Sequence, residues 1–437
     1  MELNPSSNSR PVRRKEQAAG ARTVAWLILA GGLAAIGLAT LGPVVLETPR
    51  EALPQACLLC GEFGTVDFLL NVLLFVPFGL GLALMGVRRP LAVLAIVGLS
   101  VTIEALQVSV ISGRDASLGD LFANSLGGLI GSTATRWWPA LLRPLRRHVA
   151  WLAFLPGCLM IVTAAATAFL LRPAPAPSSR WWGQWAHELG GTAPFGGKVR
   201  DVRLNGFPVR DGVLPDQNRV HDVFRGDSVR FEAQVTVGPI PPRRAQVAAI
   251  ADGEGAWVAS MWQDGQDVLF HLRLRTSTYL VRTPGIRLVG ALDAPRDAVV
   301  MLAVEISHGR LTAETSGATR RTATIPLSPS LVWTLISPWD ATFPAPPDPL
   351  TAVFLVLAFA VCGLLALLWG VQAGRRPLTG VSLALALVMA LGGVPAASGL
   401  PAVRWWEWIA AATGLVLAWL LATPLSARLD ARAVRSA

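Results

Sequence analysis

The chain has 437 residues, 52% of them hydrophobic and 15% charged, with a mean hydropathy of +0.49 and a formal net charge of +10. Such hydropathy excludes an ordinary soluble protein. The basic residues cluster in short segments between apolar runs, which excludes a phosphate-binding surface for nucleic acid.

Residues 1–23 form a basic tail, carrying five cations from Arg10 to Arg22. The apolar run that follows, near 24–46, is about twice as long as the core of a signal peptide, and no small-residue cleavage site follows it closely, so it is expected to remain as an anchor. Further apolar runs lie near 66–87, 91–110, 119–138 and 149–171. Each is long enough to cross roughly 30 Å of hydrocarbon as a helix. They define a five-span block at 24–171.

Cys57 and Cys60 form a C-x-x-C between the first two runs. Zinc needs about four ligands, and no His or second cysteine pair is near. A disulfide is the expected reading, with free thiols or redox chemistry as alternatives. Cys158 and Cys362 fall inside spans and read as packing residues.

The polar stretch 180–343 is bracketed by Arg172-Pro-Ala-Pro-Ala-Pro177 and Phe343-Pro-Ala-Pro-Pro-Asp348. Such stretches make stiff connectors that stop helices. Inside it, Val229, Phe231, Ala233, Val235 and Val237 alternate with Arg230, Glu232, Gln234 and Thr236, and Phe270, Leu272 and Leu274 alternate with His271, Arg273 and Arg275. A period of two means strands with one buried face. Asp252-Gly253 and Asp264-Gly265 read as hairpin turns. An all-β sandwich or jelly roll is predicted. Spans near 349–371, 378–396 and 405–423 make a second membrane block at 349–423, and residues 424–437 form a tail.

The expected fold is therefore an α-helical polytopic membrane protein of about eight transmembrane helices with an all-β domain. Of the 38 basic residues, 16 fall in the tails and the segments Arg88–Arg89, Arg136–Arg147 and Arg375–Arg376, and four fall in the opposite short loops. The positive-inside rule then puts both termini in the cytoplasm and the β domain outside.

Polar residues recur where lipid discourages them. Asp67 and Asn71 are spaced i, i+4, Glu104 and Gln107 i, i+3, and Asp120 and Asn124 i, i+4. With alternating helix direction all three pairs fall near the outer leaflet, and Arg114 lies in the short loop between the third and fourth spans. Charged groups at such depth usually face a bundle interior or a wet cavity. Glycines at 79, 81, 127, 128 and 131 would let the helices approach closely. The plainer reading is polar packing: Asp67 and Asp120 as helix-start acids, and the amides as interhelical glue. Glu104, a carboxylate inside an apolar run, fits that reading least.

Asp67-x3-Asn71-Val-Leu-Leu-Phe-Val-Pro-Phe-Gly79, Glu104-Ala-Leu-Gln107, Gly113-Arg114 and Asp120-x3-Asn124-x2-Gly127-x3-Gly131 together resemble the VanZ-like family over residues 25–140. The resemblance implies a bacterial integral membrane protein. The family is named for a teicoplanin-resistance determinant, which implies a cell-envelope setting without an agreed reaction. More loosely, Phe195-Gly-Gly-Lys-Val-Arg-Asp-Val-Arg203 and Trp262–Arg275 resemble concanavalin A-like (laminin-G-like) jelly rolls, many of which bind glycans. The E-x-D-x-x-E of the glucanase members is absent. Asp216, Asn218 and Asp222 could hold calcium or form a solvated loop, and the loop is the preferred reading.

No cofactor and no metal is expected, since no Ser-His-Asp set, phosphate loop or histidine cluster is present. The expected partners are the lipid bilayer and an envelope glycan or lipid-linked saccharide. Binding is favoured over catalysis. The alternatives are an enzyme acting on a lipid headgroup through Asp67, Glu104 and Asp120, and a scaffold with no ligand of its own.

Overall fold

The structure is a computed structural model describing residues 9–41, 58–59, 61, 63–109, 117–142, 147–174, 180–189, 192–226, 228–252, 256–337, 342–343, 348–372 and 376–436. Cys57, Cys60 and Arg114 lie outside the described residues, as does the Gly253 position of one expected hairpin. The chain divides into two compact units, one ending at Arg143 and the other running from Pro144 to the end, with residues 47–49 grouped with the second.

The first unit is a helical bundle of α1 (Ser9–Thr40), α2 (Gly64–Leu84), α3 (Arg89–Ser109) and α4 (Leu118–Leu142). Phe75 and Ile96 are fully enclosed, with Ile36, Phe78 and Ile103 packed around them. Glycine sets the approach of α2 and α4. A Cβ on Gly79 would overlap the Gly128 carbonyl, one on Gly127 the Val72 carbonyl, and one on Gly131 the Val76 carbonyl. These contacts keep a constant sense of register, so α2 and α4 run parallel with α3 antiparallel to them. Small residues permit this approach, and close backbone packing takes the place of a hydrophobic driving force within lipid.

In the second unit the 3₁₀ segment Arg147–Phe154 leads into α5 (Leu155–Leu170), and the β domain follows. Its strands are β1 (Trp181–Trp185), β2 (Lys198–Leu204), β3 (Phe207–Pro208), β4 (Gly212–Val213), β5 (Ser228–Thr236), β6 (Ala245–Asp252), β7 (Trp257–Asp264), β8 (Asp267–Leu272), β9 (Gly285–Leu288), β10 (Val299–Ser307), β11 (Arg310–Gly317), β12 (Arg321–Pro326) and β13 (Thr342–Phe343). They form a seven-stranded sheet, β13-β9-β8-β7-β6-β1-β4, and a six-stranded sheet, β12-β11-β10-β5-β2-β3. The pairing is antiparallel except for β13 with β9. The result is a two-sheet sandwich, as the alternating patterns predict. On β5, Val229, Phe231, Ala233 and Val235 are enclosed in the core, while Arg230, Glu232 and Gln234 stay half-exposed.

Three short helices interrupt the strands: α6 (Gln217–Arg225), α7 (Arg275–Thr278) and α8 (Val332–Leu335). Asp216 is the N-cap of α6, its carboxylate accepting from the Arg219 amide at 3.3 Å, so this acid has a capping role at the position considered for calcium. The expected turn at Asp264-Gly265 links β7 to β8, with Gly265 at φ +66°. A second tight turn, Asn205-Gly206 between β2 and β3, has φ +47° and +76° at its central residues. Both are conformations that glycine and asparagine reach with the least steric cost.

The chain then re-enters helix as α9 (Asp348–Gln372), α10 (Arg376–Val388), a π turn at Met389–Gly393, α11 (Val394–Ser398) and α12 (Trp405–Ser436). Among the described residues, seven helices are long and apolar enough to cross a membrane: Arg22–Thr40, Gly64–Leu84, Arg89–Gln107, Trp151–Leu170, Asp348–Gly370, Arg376–Ser398 and Trp405–Ser426. The chain is a multi-pass membrane protein. The eighth expected span is α4, whose Asp120, Asn124, Ser125, Ser132 and Thr133 make it the most polar of the set.

The β domain and the membrane helices of the second unit are joined by polar contacts. Ser330 donates to the Glu407 carboxylate at 2.5 Å, and Glu407, only 2% exposed, also pairs with Arg404 at 3.3 Å. Arg404 reaches Asp348 at 2.7 Å, tying the start of α12 to the start of α9. The Trp333 indole donates to the Thr351 hydroxyl at 3.1 Å.

Candidate functional site

All three polar pairs lie at one end of the first unit's bundle, near the start of α2, the end of α3 and the start of α4. The Asn71 amide donates to an Asp120 carboxylate oxygen at 2.6 Å, joining α2 to α4. Glu104 accepts from the backbone amide of Ser117 at 3.1 Å, and the Ser117 hydroxyl accepts from the Asp120 amide at 3.0 Å. One chain of bonds thus runs from Glu104 on α3 through Ser117 to Asp120 and on to Asn71. Asp67 stands one turn before Asn71 on the same side of α2 and is half-buried.

Asn124 is 2% exposed, and its amide donates to the Ser100 hydroxyl at 3.1 Å. Its carbonyl oxygen is enclosed and receives no bond from the described residues. Turning the amide over would only exchange which end lacks a partner. A buried polar atom left without a partner costs about 1–3 kcal/mol. Such an atom marks a place where something else is bound or where strain is tolerated.

Gln107 behaves differently. Its amide donates to the Thr40 carbonyl at the end of α1, at 3.2 Å, so it binds α3 to α1 as interhelical glue. Of the seven residues picked from the sequence, Asn71, Glu104 and Asp120 are therefore linked through bonds, and Asp67 and Asn124 share helix faces with them. Gln107 turns toward α1, and Arg114 lies outside the described residues. Ser100, Ser117 and Thr40 complete the arrangement and were not singled out in the sequence, because a lone hydroxyl in an apolar run carries no pattern of its own.

The chemistry of the site is that of acceptors. Three carboxylates and one partnerless amide oxygen stand at one end of a helical bundle, with no cluster of three or more metal-ligating side chains among the described residues. A matching ligand would bring donors, such as the hydroxyls of a sugar or an ammonium group.

The β domain has two further polar features. On the outer side of the six-stranded sheet, Arg230 bonds Glu232 at 2.6 Å, Glu305 at 2.9 Å and Glu314 at 2.7 Å. Burial alone would lower the pKa of this guanidinium, but its three carboxylate bonds outweigh that and leave it raised. On the seven-stranded sheet, Gln246 is enclosed, donates to Gln184 at 3.0 Å and leaves its own carbonyl oxygen without a partner among the described residues. The cross-strand neighbour of Gln246 is Trp262, which packs against Trp257 at 5.0 Å between ring centres.

No curated protein and no solved structure gives a significant match to the chain. A family model does match, and it covers the helices that carry the polar pairs while leaving α5, the β domain and the last three spans outside. Residues 22–139 match the family described as VanZ/LLP1, so this four-helix segment, α1 to α4, is VanZ-like.

Proposed function

We propose that this is a recognition protein of the bacterial cell envelope, whose VanZ-like block binds the headgroup of a lipid-linked saccharide or a related glycan at the outer face of the inner membrane. The observation carrying this reading is the enclosed Asn124 carbonyl oxygen, which lacks a partner among the described residues and lies on the same helix face as Asp120 and at the same bundle end as Glu104. A site lined by acceptors favours ligands rich in hydroxyl or ammonium donors, and a sugar headgroup supplies them. Binding is favoured over reaction because no nucleophile with an adjacent base accompanies the carboxylates.

The distribution of basic residues supports termini in the cytoplasm and a β domain outside. In that orientation the polar ends of α2, α3 and α4 also face outward. The test is retention of envelope lipids by the purified full-length protein in native mass spectra, comparing wild type with Glu104→Gln. Wild type is expected to retain a saccharide-bearing lipid that the variant loses. Equal retention by both proteins contradicts the proposed site.

A further inference from the structure

The apolar window of α5 ends at Leu170, so Phe169 lies at the boundary of a membrane span. The base of the β domain is built directly on it. The Arg275 amide donates to the Arg172 carbonyl at 2.9 Å, and the Arg275 guanidinium stands 4.4 Å above the Phe169 ring. Tyr279 meets the same ring edge-on at 6.0 Å between centres. Tyr279 is nevertheless 51% exposed, and Phe169 itself is 44% exposed.

The loop that presents Tyr279 is pinned in shape. The Thr283 hydroxyl bonds those of Thr276 and Ser277, at 2.7 and 3.0 Å, and the Val281 amide returns to the Thr276 carbonyl at 3.1 Å. Leu280 is held at φ +54°, a conformation that a leucine rarely adopts and that needs support from its surroundings. An exposed tyrosine on a stiffened tip, touching the last turn of a membrane helix, is placed at the depth where aromatic side chains concentrate along bilayer surfaces. Arg275 and Arg172 flank it, and neither has a carboxylate partner among the described residues.

We infer that the loop from Arg275 to Thr283 is a bilayer-contacting tip: Tyr279 enters the headgroup region beside α5, and Arg275 binds a lipid phosphate. The occupant of this surface is the bilayer that surrounds α5, because the ring stacked under both side chains belongs to a spanning helix. The phosphate contact follows from guanidinium chemistry, which offers a planar set of donors matched to phosphate oxygens. The β domain is then seated on the membrane, with its strands projecting away from it.

The test uses the full-length protein with its four cysteines replaced by alanine, in nanodiscs of phosphatidylglycerol and phosphatidylethanolamine. A spin label is placed at Tyr279→Cys, or at Thr278→Cys should that variant not fold, and a reference label at Ile240→Cys. Ile240 is 59% exposed and precedes β6, whose first residue pairs with Gln263 beside the β7–β8 turn, at the opposite end of β8 from Arg275. The label at 279 or 278 is expected to be several-fold less accessible to an aqueous nickel relaxant than the label at 240, and more accessible to oxygen. Arg275→Gln should raise aqueous accessibility at the tip several-fold, whereas Arg275→Lys, which keeps a cation, should not. Equal accessibility at the tip and at 240 overturns the contact with the bilayer, and an Arg275→Gln variant unchanged in depth overturns the phosphate contact.

Discussion

At the scale of single residues, two acids, Glu104 half-buried and Glu407 enclosed, illustrate opposite tasks. Glu104 accepts one backbone bond from Ser117, a bond that a glutamine oxygen can also accept. Glu104→Gln is therefore expected to insert and pack normally while losing about 10- to 100-fold in ligand affinity, the scale of one charge-assisted bond of about 1.5–3 kcal/mol. Titration against isolated envelope glycolipids measures it, and unimpaired affinity would assign Glu104 to packing. Glu407 serves the joint between Ser330 and Arg404. Removing it by Glu407→Ala leaves the enclosed Ser330 hydroxyl without its acceptor, costing about 1–3 kcal/mol, while Arg404 keeps its pair with Asp348. Thermal unfolding of the detergent-solubilised protein should show a large drop for alanine and a smaller one for Glu407→Gln, which keeps an acceptor for Ser330. Both acids stand in apolar helices, yet Glu104 was singled out in the sequence and Glu407 was not. Glu104 has a patterned companion in Gln107 deep in an apolar run, whereas Glu407 stands three residues after Arg404 at a helix start, an ordinary spacing there, and its other partner, Ser330, lies 77 positions away on another element.

At the scale of elements, helix packing and turns carry the fold. A Cβ at Gly79 or Gly127 would strike a backbone carbonyl of the facing helix, whereas one at Gly128 meets only the Ile96 side chain. Gly127→Val should separate α2 from α4 and abolish the Asn71–Asp120 bond, while Gly128→Ala should cost about 1–3 kcal/mol, as overpacking against a side chain does. Comparing their yields of folded protein after detergent extraction checks the order, and equal loss in both would contradict it. In the β domain, Gly206 at φ +76° predicts that Gly206→Val costs about 1–2 kcal/mol without altering the strands, measurable as a shift in thermal unfolding. The membrane helices other than α4 were legible because each carries a long, predominantly apolar run, and β5 and β8 because their inward residues alternate. The seven-stranded sheet was harder to read: every residue of β6 is buried, so its sequence shows no alternation, and period two disappears where both faces are covered. The short pairings β4 and β13 depend on partners distant in sequence and leave no local signal, whereas β3 follows β2 directly through the Asn205-Gly206 turn.

At the scale of the whole molecule, the account makes recognition an event at one face of the membrane. The polar ends of α2, α3 and α4, together with Thr40 at the end of α1, fall at one end of the first unit. In the second unit the β domain is anchored to α5, α9 and α12 through Arg275, Trp333 and Ser330. The proposed orientation places the polar end of the bundle outside, and the proposed reading of the site depends on that direction. The most direct measurement is labelling of Ile240→Cys, in the cysteine-free background, with a membrane-impermeant maleimide applied to cells whose outer barrier has been opened and whose inner membrane is intact. The account predicts full labelling before lysis, with no labelling of Arg89→Cys until the inner membrane is broken. Labelling of Arg89→Cys in intact cells, with Ile240→Cys reached only after lysis, would contradict it.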